Sequence, residues 1–60
     1  MNRLVKRRKE KGLSQRGLAK KSKVSHVTIA RIETGTFDPR LSTLRSLAKA
    51  LKVKIHDLID

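Results

Sequence analysis

Apolar residues recur along this chain at intervals of three and four, the spacing that gathers side chains on one face of an α-helix. The clearest run is Leu41, Leu44, Leu47, Ala48 and Leu51, with Arg45 and Lys49 falling outside it. It predicts an amphipathic helix over residues 41–51 whose stripe is core. Upstream, the pair Leu18 and Ala19 marks a helix over 15–21. Ile29 and Ile32 mark one face of another over 25–34, and Val27 and Arg31 point to its opposite side. Leu4 and Val5 anchor a basic helix over 1–11, and Val53, Ile55 and Leu58 close the core through a last short helix over 55–59.

Polar and special residues set the ends of these segments. Ser14 and Ser25 stand where a hydroxyl can accept a bond from an unpaired first-turn N–H. Gly12 ends the first helix by supplying a left-handed cap, and Pro39 blocks helical continuation through the loop over 36–40. Only Ser22, Lys23 and Val24 separate the second helix from the third. That is too short for anything but a sharp reversal, so the two helices cross at a large angle and touch near Ala19, where a small side chain lets the backbones approach.

Sixty residues make one domain, over 1–60, and a chain this short buries only roughly 60% of the surface it exposes when unfolded. The core is therefore small. There is no Cys to staple it, no apolar run near the roughly 18 residues of a membrane span, and no secretory signal pattern. A soluble cytoplasmic protein is expected. Sixteen Lys and Arg against five Asp and Glu leave a formal charge of +11, which points to a polyanionic partner. The single aromatic, Phe37, argues against stacking platforms for single strands, so double-stranded DNA is favoured. Phe37 itself is expected to be partly buried.

His26, His56 and the five acids form no metal set and no base–nucleophile pair at a recognised spacing. No phosphate-cradling glycine loop is present. The expectation is a protein that is not an enzyme, with no cofactor, no metal and no small-molecule site in this domain.

The ordered set Gly12-Leu13-Ser14-Gln15, Leu18-Ala19, Val24-Ser25, Ile29, Ile32-Glu33 and Gly35 resembles the Cro/lambda-repressor-like (XRE) family. The match continues through Pro39, Thr43-Leu44, Leu47-Ala48, Ala50-Leu51, Val53 and Leu58, and so covers nearly all of the chain. The resemblance implies an all-α, compact five-helix lambda-repressor-like DNA-binding domain in which helices two and three form a helix-turn-helix. It further implies that Arg8 turns inward to pair with Glu33, and that Gln15, at the start of helix two, meets a DNA phosphate.

In this class the start of helix three enters the major groove, so Ser25, His26, Val27 and Arg31 are the base-reading candidates. Arg31 can donate a fork to guanine O6 and N7, and Val27 can pack on a thymine methyl. Thr28 on the flank, Lys23 in the turn, the segment Thr34, Gly35 and Thr36, and Arg40 are the phosphate candidates. Asp38 opposes that role locally. Three residues depart from the family pattern: Gly17, where Glu is usual, and Lys23 and Lys52, where Gly is usual. A non-glycine residue in a left-handed turn costs roughly 1–2 kcal/mol.

The implied function is sequence-specific DNA binding by a transcriptional regulator, a repressor in the first reading. Tight binding would use a homodimer on a pseudo-palindrome, joined through the C-terminal helix with Leu58 and Ile59, since no separate dimerisation segment follows Asp60. The alternative is an interaction module, such as an antitoxin or a coactivator-type adaptor, that meets a protein along the edge of helices four and five. Non-specific coating of nucleic acid by charge is a third reading.

Overall fold

The computed structural model describes residues 3–59. Four α-helices follow in order, α1 Arg3–Glu10, α2 Gln15–Ser22, α3 His26–Thr34 and α4 Leu41–Leu51, then a 3-10 turn over Ile55–Asp57. Among the described residues there is no strand. The first two positions of the expected first helix, Met1 and Asn2, lie outside the described residues, as does Asp60.

Both serine caps form. Ser14 Oγ accepts from Gly17 N at 2.9 Å and Ser25 Oγ accepts from Val27 N at 3.2 Å, each satisfying one first-turn donor. A side chain at position 17 would bring its Cβ to 3.2 Å from that Ser14 oxygen, so the cap leaves little room there. Left-handed residues end all four helices: Gly12 (φ 69°), Lys23 (61°), Gly35 (80°) and Lys52 (56°). After α3, Thr36 N donates to Arg31 O at 3.0 Å and Gly35 N to Ile32 O at 3.1 Å, which uses up orphan carbonyls of the last turn. After α4 the same pattern is built on Lys52, with Val53 N donating to Ala48 O at 3.0 Å.

The core is formed by Leu4, Leu18, Ile29, Ile32, Leu47, Ala48, Leu51 and Leu58. Each of the four α-helices contributes, Leu58 is added just after the 3-10 turn, and α2 packs against both α3 and α4. Ala19 lies partly buried against this cluster. Ser22, at the end of α2, is buried because its hydroxyl serves the reversal twice, donating to Leu18 O at 2.7 Å and accepting from Val24 N at 3.2 Å.

Four expectations are corrected. The fifth helix over 55–59 is a single 3-10 turn, closed by Asp57 N to Lys54 O and Leu58 N to Ile55 O, both at 2.9 Å; so few residues cannot nucleate an α-helix. Leu41, assigned to the core stripe, is 55% exposed, because it is the first residue of α4 and precedes the turn that meets the core. Phe37, expected to be partly buried, stands among the exposed large apolar residues at 41%. Leu58 is fully buried and cannot serve a dimer surface, which leaves Ile59 as the exposed apolar residue at that end.

Candidate nucleic-acid interface

The placement of α3 follows from its two faces. Ile29 and Ile32 are fully buried, so the helix is held with Val27 (47% exposed) and Arg31 turned to solvent. Ser25 is exposed at its capped N-terminus, and His26 and Thr28 are half-buried beside it. Among the described residues the Arg31 guanidinium has no hydrogen bond or ion pair, so its five donors face solvent. The structure thus brings Ser25, His26, Val27 and Arg31 together on two turns of one short helix.

The orientation of that helix is set from behind by an ion pair. Arg8, buried on α1, donates Nε to Glu33 Oε2 at 2.7 Å and Nη2 to Oε1 at 3.1 Å, while its Nη1 donates to Leu13 O at 2.8 Å. Gln15 adds a third bond, its Nε2 donating to Glu33 Oε1 at 2.8 Å. The Glu33 side chain is only 6% exposed. Burial alone pushes its carboxyl up and is the largest single effect, but the bonds from Arg8 and Gln15 and the charges of Arg8 and Lys9 together hold it below the ordinary glutamate value. Glu33 is therefore a fixed anion.

The expected phosphate contacts are less uniform. Gln15 uses one amide hydrogen on Glu33 and keeps the other, so it can hold the carboxylate and meet a phosphate with the same nitrogen. The amides of Gly35 and Thr36 are not free, contrary to expectation, because they close the end of α3. Thr34 Oγ1 and Thr36 Oγ1 both donate to Arg31 O, at 3.1 and 3.2 Å, and stand 3.1 Å apart. A phosphate there would have to draw on these hydroxyls. Arg40 is exposed at the start of α4, with Asp38 exposed two residues before it. Lys23, exposed in the turn before α3, lines a cleft between α2 and α4.

Two features escaped the sequence reading. The tie from Gln15 to Glu33 has no local signal, since the two residues stand 18 apart in sequence. The cleft at Lys23 did leave one, in the two lysines that replace glycine at left-handed positions.

Among the described residues no group of three His, Asp or Glu side chains is placed to hold a metal ion, and no helix is long and apolar enough to cross a membrane. A helix-turn-helix family profile matches residues 4–58. An uncharacterized HTH-type transcriptional regulator of Methanocaldococcus jannaschii is 48% identical over 46 residues, covering 77% of this chain and 70% of the relative. The HTH-type transcriptional regulator DdrOP3 of Deinococcus deserti is 34% identical over 97% of this chain, and the immunity repressor protein of Bacillus phage phi105 is 38% identical over 87% of it. The chain spans 45% of the length of the first of these two and 36% of the second. With its two capped helices, the three-residue reversal between them and a match over nearly its whole length, the chain belongs to the XRE-type helix-turn-helix family.

Proposed function

We propose that this domain binds double-stranded DNA as part of a transcriptional regulator and reads sequence in the major groove with the start of α3. One observation carries the reading: α3 buries Ile29 and Ile32 yet leaves Val27 exposed and, one turn on, the Arg31 guanidinium without a partner among the described residues. Guanine offers the two acceptors that an arginine fork matches, and thymine offers a methyl to Val27. Exposed Ser25 and half-buried His26 flank the same tip. Gln15, Thr28, Thr34, Thr36 and Arg40 supply backbone contacts that set register without specifying sequence.

The Cα trace of the domain extends 22 Å along its longest axis, shorter than the roughly 34 Å between successive major-groove faces of a duplex. One copy therefore reads one half-site. Two copies on an inverted repeat would bind more tightly than one, the arrangement expected of a repressor. Ile59 is the apolar residue available for such pairing at the C-terminal end.

Exposed Phe37 and Leu41 favour a second reading, in which the loop before α4 meets a partner protein. Selection from a random duplex pool at near-physiological salt separates the two. Enrichment of a defined motif, present as inverted repeats, supports the regulator. A pool that emerges unenriched removes it and leaves the interaction module.

A further inference from the structure

An open cleft of about 440 Å³ lies between the C-terminal halves of α2 and α4, lined by Lys21, Lys23, Lys49 and Lys52 together with Ser22 and Ser46. Its size is that of a small-molecule site. Among the described residues no carboxylate lines it, and none of the four ammonium groups has a hydrogen bond or an ion pair. Both hydroxyls are engaged with backbone, Ser22 Oγ with Leu18 O and Ser46 Oγ with Ser42 O. The four lysines are what the cleft offers a ligand.

Lysines at helix C-termini ordinarily offset the negative end of the macrodipole, and two such ends meet here. Each end amounts to roughly half a negative charge, so four ammonium groups exceed the two ends by about three charges. The excess is concentrated where the backbone least favours a side chain. Lys23 and Lys52 are the two non-glycine residues at positive φ among the described residues, and both line this one cleft. Glycine would relieve each turn, yet each carries a cation to the same place.

We propose that the cleft is a binding site for a small, multiply charged phosphate ligand, separate from the face of α3 that carries Val27 and Arg31. Four point charges without an arginine fork suit phosphate oxygens, whereas planar carboxylates gain most from bidentate guanidinium. The site stands independently of the DNA-reading assignment, since neither Val27 nor Arg31 lines it.

The test is titration of the intact chain with tripolyphosphate at constant ionic strength, following backbone amide shifts and thermal unfolding. Saturable binding is expected, with shifts confined to residues 21–24 and 46–53. The double variant K23G/K52G should bind at least tenfold more weakly while remaining folded, because glycine suits both left-handed positions. K6Q/K11Q removes the same charge from exposed residues at α1 and should bind as the unmodified chain does. Equal weakening in both variants, shifts spread over all lysines, or no saturable binding would overturn the site. So would a duplex-binding salt slope that falls by about two in K23G/K52G with tripolyphosphate inert, since the cleft would then take DNA backbone.

Discussion

Glu33 lies in the fork of the Arg8 guanidinium, with Nε 2.7 Å from Oε2 and Nη2 3.1 Å from Oε1, and Gln15 Nε2 holds Oε1 as well at 2.8 Å. One carboxylate thus joins α1, the start of α2 and the end of α3. The hydrophobic contacts at Leu18, Ile29 and Ile32 are non-directional and tolerate a small rotation of α3. Three hydrogen bonds to a planar carboxylate do not, so this pair sets the angle at which the exposed face of α3 is presented.

Replacing Glu33 by Ala leaves Arg8 buried without a counter-charge. A loss of roughly 3 kcal/mol is expected, the low end of what breaking a buried pair costs. In a domain of this size that corresponds to a fall in Tm of more than about 10 °C. The exposed Asp38→Ala should stay within about 0.5 kcal/mol of the unmodified protein. Thermal unfolding by circular dichroism reads both, and equal behaviour of the two variants would remove the pair from the account.

The same carboxylate makes stability depend on pH. Its folded-state pKa lies below its unfolded value, so its contribution is fully present above the unfolded value, about 4.3 for glutamate, and is lost as pH falls through the folded one. Asp57 works in the same direction, chiefly because Lys54 N donates to its carboxylate at 2.9 Å. Denaturant midpoints should therefore hold steady from neutral pH down to about 5 and fall below that. In Glu33→Gln the acid-side slope should be shallower; an unchanged slope would mean that the pair is not linked to folding.

At the proposed DNA-reading face, two arginines should behave differently. Arg31→Ala is expected to lose roughly 1–3 kcal/mol on the selected site and to relax discrimination at one base position. Arg40→Ala should weaken all duplexes alike and lower the salt slope by about one. Competition binding against single-base variants of the site distinguishes them. Uniform weakening by Arg31→Ala would place that residue on the backbone instead.

The left-handed positions give a stability test of opposite signs. Lys52→Gly relieves roughly 1–2 kcal/mol of backbone strain and gives back about 0.4–1 kcal/mol through added freedom of the unfolded chain, so a small net gain is expected. Gly35→Ala at φ 80° should lose roughly 1–2 kcal/mol, although its Cβ would meet nothing within 4 Å. A loss in Lys52→Gly would show that the Lys52 stem contributes packing that outweighs its turn.

Much of the fold was legible because it rests on local rules. Ser14 and Ser25 cap the helices that they precede in sequence, and the three-four spacing of Leu44, Leu47, Ala48 and Leu51 marks the inner face of α4. Leu41 failed because periodicity says which side of a helix a residue is on, not whether anything packs there at its first turn. The last helix failed for a related reason: Val53, Ile55 and Leu58 signal burial without saying whether three residues close as α or 3-10. Phe37 has no periodic context, so its exposure could not be read.

Sequence by itself determined the course of the four α-helices and which residues of α3 stand opposite its core face, because caps, left-handed turns and helical periodicity act over a few residues. The partner of Arg8 it supplied only through likeness to a family. Tertiary structure alone decided that Gln15 shares the Glu33 carboxylate, that the amides of Gly35 and Thr36 are already bonded, and that Lys23 and Lys52 meet at one cleft. Those outcomes depend on the angles between helices, which short-range preferences do not specify and which the packing of a shared core does.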